Sequence, residues 1–347
     1  MASTPSPTGS MTTTSLRQNV AGRLRRMPAV VGPLLILIGL CVIIALITPR
    51  FLSPINLAGL ARQTSILLIA ALGVSLVIMM GGIDLSIEGV MALSSVIASL
   101  LVASVKPETG ALQFPPNFNV GFLAVVVAVG VATLMGLVNG ILHTKLRIPS
   151  FMVSLGMLSI GVGMATWLSG GIDVRILDPM LRGWARNSVG PVPNLALFGA
   201  ALFFIAFFLE RYTRFGRYIR AIGGAEDRAK LVGIPVDRYK VMAFTIAGCF
   251  FGVAGVLSTG RVGAGTPNIG VGFLFASITA VVVGGTALTG GTGGIVQTLI
   301  GALIVTVISN GMIMVGVNNW IQLAVQGVII TIAVALTMDR KKIPIIK

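Results

Sequence analysis

The chain has 347 residues, of which 55% are hydrophobic and only 10% charged, whereas an ordinary soluble domain carries about 25% charged residues. That balance excludes a soluble globular fold. Several apolar runs reach roughly 18–22 residues, the length a helix needs to cross about 30 Å of hydrocarbon. The formal net charge of +15 does not mark a nucleic-acid partner, because the bases lie between apolar runs and not on one soluble face.

Residues 1–27 read as a disordered basic cytoplasmic tail, rich in Ser, Thr and Pro at its start. Arg23, Arg25 and Arg26 then precede an apolar stretch. The pattern imitates a signal peptide, but the stretch is long and no small-residue cleavage site follows, so it reads as a retained first span. Ten spans are expected, at about 28–48, 63–80, 86–105, 120–142, 150–168, 194–210, 241–259, 272–288, 294–315 and 319–337. The second and third are separated only by a Gly-rich segment, as are the eighth and ninth. Either pair is therefore open to being a broken or re-entrant element. The expected fold is all-α, a polytopic transmembrane bundle over 28–338 with a basic cytoplasmic tail at 339–347.

Orientation follows from the bases, which favour the cytoplasmic side. With the N terminus inside, 18 of the 25 Lys and Arg residues fall on cytoplasmic segments. An even span count returns the C terminus to the cytoplasm. Two outer loops, 106–119 and 169–193, are long enough to offer a docking surface or simply to connect spans. Cys41 and Cys249 lie inside apolar runs without metal-type spacing and read as small core residues.

Two acids, Asp84 and Glu88, fall within the apolar region under this division. An acid at the bilayer centre costs about 2.5–3.5 kcal/mol on insertion scales, so it must face protein, water or the boundary. Asp84 follows Gly81 and Gly82 and precedes a new run. Two readings stand: a helix cap, or a group lining a solute path or its gate. The Gly- and Thr-rich stretch 284–294 lacks the Lys of a nucleotide-binding loop. Together with 81–89 it resembles an internal repeat, and such breaks are where transporters put irregular backbone beside a cavity. Gly136-x-x-x-Gly140 and Gly248-x-x-x-Gly252 read as packing seams. Asn310, in an apolar run, can bond either a neighbouring helix or a solute hydroxyl. His143 sits at a helix end, and no metal is assigned to it.

The segment 211–240 holds eight bases. After Gly223 and Gly224, residues 225–232 have the marks of a short helix, with Glu226 and Asp227 in the first turn, Lys230 near the last, Gly233 placed to stop it and Pro235 beyond. Ala225, Ala229 and Val232 are expected on one face. Two turns of helix are not stable alone in water, so this element needs a surface, either the protein's own or a partner's.

The stretch Gly-Arg-Tyr-Ile-Arg-Ala-Ile-Gly-Gly at 216–224, followed by Glu226, Ala229, Leu231, Gly233 and Ile234, resembles the cytoplasmic coupling loop of ribose/xylose/arabinose-type ABC importer permeases. Gly81-Gly82-Ile83-Asp84-Leu85-Ser86, the run Gly284 to Gly291, and Asn310-Gly311 match three further marks of that family in the same order. The resemblance implies a permease of the bacterial inner membrane that pairs with a second permease chain (a copy or a paralogue), cytoplasmic ATPase subunits and a periplasmic solute-binding protein. It implies that Gly223, Gly224, Glu226, Ala229, Leu231, Gly233 and Ile234 couple to the ATPase. Asp84, Ser86 and Asn310 become candidates for the translocation path or gate. Ala225 and Arg228 depart from the family's usual Asn and Ala.

No nucleophile motif, nucleotide loop or metal cluster stands out in the sequence. The chain therefore reads as a non-enzymatic subunit that binds no cofactor, with ATP used by its partner. A simple sugar or related polyol is the expected solute. The competing readings are a branched-chain amino acid permease, an ion-coupled secondary transporter and a membrane-embedded enzyme. The last is disfavoured by the missing catalytic constellation.

Overall fold

The computed structural model describes residues 30–102 and 118–337. The expected tails at 1–27 and 339–347 and most of the loop 106–119 lie outside the described residues. In chain order the helices are α1 (Val31–Ile47), a 3-10 turn (Pro49–Leu52), α2 (Pro54–Met79), α3 (Ile87–Val102), α4 (Phe118–Lys145), α5 (Ser150–Ser169) and α6 (Pro179–Arg186). They continue with α7 (Asn194–Tyr212), α8 (Arg214–Gly224), α9 (Glu226–Leu231), α10 (Val236–Val262), α11 (Phe273–Val283), α12 (Ile295–Met314) and α13 (Asn319–Thr337). Two antiparallel pairs of two-residue strands, β1 (Val174–Arg175) with β4 (Ala264–Gly265) and β2 (Ser188–Val189) with β3 (Val192–Pro193), tie loops at one end of the bundle.

The ends of these helices follow from local chemistry. Ser53 accepts the Asn56 N–H at 3.3 Å with Pro54 in the first turn of α2. Asp178 does the same for the Leu181 N–H of α6 at 2.8 Å, again with Pro next to it. Gly170 (φ 66°) and Gly263 (φ 88°) close α5 and α10 in the left-handed conformation.

Among the described residues six helices, α2, α4, α5, α7, α10 and α12, are long and apolar enough to cross a membrane, and α1, α3, α11 and α13 bring the apolar helices to ten. The eighth expected span, 272–288, is corrected: α11 has 11 residues, about 16 Å at 1.5 Å per residue, which is half a membrane. The first suspected pair contains a broken element, whereas the second break precedes the eighth span and does not part it from the ninth. Residues 81–86 run non-helically alongside the first turns of α5 before α3 begins. Residues 266–272 run past α3 before α11 begins.

These two breaks expose an internal repeat, though not between the segments expected. The break at 81–86 corresponds to 264–272, and 284–294 is the turn that follows α11. α2 to α5 and α10 to α13 form two sets of four whose contacts mirror each other. α4 packs on α10 as α12 packs on α2, while α5 covers α3 as α13 covers α11. The sets run in opposite directions: α2 ends beside α8, close to where α10 begins, and α10 ends beside β4. The N termini of the short helices α3 and α11 meet at mid-height, where Gly270 lies against the backbone of Glu88.

The centre of the bundle is made by small residues. A Cβ on Gly136 would stand 2.3 Å from the Phe244 carbonyl and 3.0 Å from Gly248, and one on Gly252 would meet the Ala132 Cβ at 2.5 Å. The two expected seams therefore face each other and let α4 and α10 touch backbone to backbone, the form of helix packing favoured where lipid supplies no hydrophobic drive. Replacing Gly136 with Val is expected to destabilise the protein by at least the 1–3 kcal/mol typical of overpacking (about that scale). Its melting temperature in detergent should fall clearly, while Gly156→Val, which points into open space, should leave it nearly unchanged.

Candidate functional site

Five glycines from three segments distant in sequence converge at the α8–α9 end of the bundle. Gly81 ends α2, Gly223 and Gly224 end α8, and Gly290 and Gly291 lie in the turn between α11 and α12. The Gly291 N–H donates to the Met79 carbonyl at 2.9 Å. A Cβ on Gly223 would stand 2.1 Å from that same carbonyl oxygen, and one on Gly290 would stand 2.9 Å from Gly81 Cα and 3.0 Å from Gly223 Cα. Gly290 (φ 82°) and Gly291 (φ 76°) are also in the left-handed region that other residues avoid. Side chains cannot enter this junction, where the end of α8 meets the end of α2 and the α11–α12 turn backbone to backbone.

A buried carboxylate fastens the same end. Glu210, at the end of α7 and 5% exposed, pairs through Oε1 with Arg220 of α8. Its Oε2 accepts the Ile295 N–H at 3.0 Å. One side chain thus ties the α8 guanidinium to the positive N terminus of α12. Gly294 admits it, since a Cβ there would meet Glu210 Oε1 at 2.3 Å. The sequence reading missed Glu210. The available signal was an acid ending an apolar run just before the most basic loop.

α9 is shorter than expected. It stops at Leu231 because Gly233 (φ 80°) takes the left-handed position of a double hydrogen-bonded C-cap, with Gly233 N–H to Lys230 O and Ile234 N–H to Ala229 O, each 3.0 Å. Val232 therefore leaves the face shared with Ala229. Ala229 is buried, whereas Leu231 and Val232 are 86% and 75% exposed. Glu226 is clamped between Lys230 at 2.8 Å and Lys240 at 2.7 Å. Partial burial works against its charge, but the two lysine hydrogen bonds prevail and hold its carboxyl below the ordinary 4.5. A Cβ on Gly224 would point into open space, and Ile234 packs against the core beside Ala229.

The candidate path residues are all engaged inside the protein. Asp84 is buried, and its Oδ1 accepts the Ser86 N–H at 2.9 Å and the Ser86 hydroxyl at 2.6 Å. Ser86 also receives Asn139 Nδ2 from α4 at 3.1 Å, and its own carbonyl accepts the Val90 N–H that opens α3. Asp84 thus braces the turn before α3 while Ser86 begins the helix. Ser150 and Ser154 of α5 accept the N–H groups of Ile83 and Leu85, each at 3.0 Å, standing in for a missing helical ladder. Glu88 serves the other half of the molecule: Oε1 accepts the N–H groups of Gly272 at 2.9 Å and Leu274 at 3.3 Å, capping α11. Asn310 and Asn56 bond reciprocally across α12 and α2 at 2.9 and 3.0 Å.

None of Asp84, Ser86 and Asn310 lines the cavity found at the end of the bundle away from α8 and α9. That cavity, about 390 Å³, lies among α2, the start of α11, α12 and α13, with Gln63, Thr306, Ser309, Gln322 and Gln326 on its walls. Among the described residues no cluster of His, Cys, Asp and Glu is arranged to hold a metal.

Two antiparallel sets of membrane-length and shorter apolar helices, with α3 and α11 meeting at their N termini and α8 packed on the turns beside them, define a multi-spanning membrane protein. Residues 56–334 match the family described as branched-chain amino acid transport system / permease component, and the chain belongs to that family. It is 36% identical to the ribose import permease protein RbsC of Bacillus subtilis (strain 168), covering 90% of this chain and 92% of that protein. With RbsC of Escherichia coli (strain K12) the identity is 34%, over 89% and 93% of the two chains. With the galactose/methyl galactoside import permease protein MglC of Haemophilus influenzae it is 30%, over 93% and 97%. No solved structure gives a significant match. The chain is a multi-pass inner-membrane permease subunit of the ABC-importer type, the non-ATPase component, grouped with sugar importers.

Glu210→Ala leaves Arg220 and the Ile295 N–H without their partner. Arg220 is 37% exposed and can turn to water, but the buried Ile295 N–H loses its acceptor, which costs about 1–3 kcal/mol. A clear drop in detergent melting temperature is therefore expected, with Glu210→Gln intermediate because it keeps an acceptor. The Glu226 clamp has its own pH signature. A carboxyl lowered in the folded state stabilises above its ordinary value of 4.5 and loses that contribution as pH falls through the lowered value. Amide protection factors at α9, which remove the intrinsic pH dependence of exchange, should therefore fall as pH drops through that lowered value in the parent protein, and Glu226→Gln should show the reduced protection already at neutral pH.

Proposed function

We propose that this permease carries a simple sugar, ribose- or galactose-like, or a related polyol, across the bacterial inner membrane. The solute is delivered by a periplasmic binding protein, and transport is driven by cytoplasmic ATPase subunits that engage α8 and α9. Both termini face the cytoplasm, in keeping with the 18 bases on that side. The permease works with a second permease chain, a copy or a paralogue. The family name mentions branched-chain amino acids, but the full-length relatives that import ribose or galactose support the sugar reading.

The observation that carries the coupling role is the glycine junction. The ends of α8, of α2 and of the α11–α12 turn share one backbone contact. A partner that pulls on α8 therefore acts at once on the flanks of both broken elements. Gly223 belongs to this internal junction, while Leu231 and Val232 offer the apolar surface that a two-turn helix presents to a partner. Gly224, Glu226, Ala229, Gly233 and Ile234 shape and hold that helix. Asp84 and Ser86 brace the inner break, and Asn310 locks α12 to α2, so all three act on gate geometry through the backbone and not by touching solute.

Uptake and ATP hydrolysis measured together, in proteoliposomes holding the permease with its ATPase and binding protein, test the assignment. Gly233→Trp and Glu226→Lys should each lower solute moved per ATP at least several-fold while membrane insertion stays normal. Undiminished coupled uptake in both variants would remove α9 as the coupling element. Uptake by the permease without any ATPase would remove the importer mechanism itself.

A further inference from the structure

The cavity among α2, α11, α12 and α13 is separated from the coupling end by the length of α11. Its floor is the start of that helix: Val271, Gly272 and Phe273 line it, as does Ala276 one turn along. Arg261, the penultimate residue of α10, stands on its wall, which places the cavity toward the β1–β4 end. At about 390 Å³ it falls within the roughly 300–1,000 Å³ of small-molecule sites.

The chemistry of the wall is selective. Three side-chain amides (Gln63, Gln322, Gln326) and two hydroxyls (Thr306, Ser309) face it, with Leu67 and Phe273 supplying apolar surface. Gln326 Nε2 reaches Ser309 Oγ at only 3.4 Å, while Gln322 Nε2 is held by the Val317 carbonyl at 3.0 Å. Thr306 spends its proton on Ala302 at 2.7 Å, leaving its oxygen as an acceptor. Amides and hydroxyls both donate and accept, as each hydroxyl of a polyol does. Arg261 is the charged residue on the lining and no carboxylate lines it. Glu88, behind the floor, is held by the Gly272 and Leu274 N–H groups, so the ammonium group of an amino acid meets no free anionic partner on the wall.

Resting on the importer reading above, we infer that this cavity is a transient chamber for a neutral monosaccharide. Gln63, Ser309 and Gln326 are its solute contacts, and the capped start of α11 is its floor. Such a floor is a physical link: α11 runs from the chamber to the turn that carries Gly290 and Gly291, which rest on Gly223 and Gly224. A displacement of α8 at the glycine junction therefore changes the chamber's floor 11 helical residues away.

The test uses the whole transporter, permease with ATPase and binding protein, in nanodiscs and in proteoliposomes. Ser309→Cys is labelled with a small thiol-specific reagent in the presence of D-ribose, D-galactose, L-leucine or glucose 6-phosphate. The two native Cys residues are first replaced by Ala. Labelling slowed by whichever neutral sugar the assembly imports, and not by leucine, supports the chamber. In parallel, Gln326→Leu and Gln63→Leu, each checked for assembly by gel filtration, should lower maximal sugar uptake per ATP about two- to ten-fold, the scale of one lost hydrogen bond. Equal protection by leucine, or protection only by the phosphorylated sugar through Arg261, overturns the neutral-sugar chamber. So do unprotected labelling and unchanged uptake in both Gln variants of an assembly that imports sugar, and there the importer reading survives. An unaltered assembly that imports neither sugar fails one step earlier and takes the chamber with it.

Discussion

A peptide group at membrane depth has no water to bond, and every irregular feature of this molecule answers that constraint. The chain leaves the helical ladder twice inside the bundle, at 81–86 and at 266–272. At the first break, Ser150 and Ser154 present hydroxyls one helical turn apart to alternate N–H groups of the extended strand. At the second, Ser95 takes the Thr266 N–H and Glu88 takes those of Gly272 and Leu274. Without these partners each break would expose donors that cost several kcal/mol apiece (on the order of) in hydrocarbon. The breaks are therefore held in place by specific side chains from neighbouring helices.

The carboxylates follow the same logic. Glu88 and Glu210 each lie on one helix and cap another, α11 and α12 respectively. A negative group at a helix N terminus is stabilised by the aligned peptide dipoles, which offsets part of its burial. Together they pin the two helices that flank the turn carrying Gly290 and Gly291. That turn rests directly on the end of α8, where Gly290 and Gly291 abut Gly223 and Gly224. Under the proposed coupling role of α8 and α9, α11 is short enough to move as a unit with that contact.

Glycine has two separate duties here. In the α4–α10 seam it removes bulk so that helices can approach, and Ala would already intrude at Gly136 and Gly248. At Gly233, Gly290 and Gly291 it supplies left-handed backbone for a helix stop and for a turn. The sequence motifs around 81, 223 and 290 look alike on paper, yet only contact reveals that they belong to one junction.

Composition and periodicity alone determined the class of the molecule, the ten apolar segments, the two glycine seams (though not that they face each other) and the short helix before Gly233. These are local properties, set by what about 20 apolar residues or a single glycine must do in lipid. The match of the coupling segment to a known family reached the transport role. Tertiary structure decided that the eighth span is half-length, that the repeat pairs 81–86 with 264–272, that Glu88 and Glu210 cap helices other than their own, and that Asp84, Ser86 and Asn310 face protein. Each of those outcomes depends on which groups meet across separations such as the 184 residues between Glu88 and Gly272. A buried polar group takes whichever partner the fold brings within 3 Å or so, and no local pattern in the chain specifies that partner.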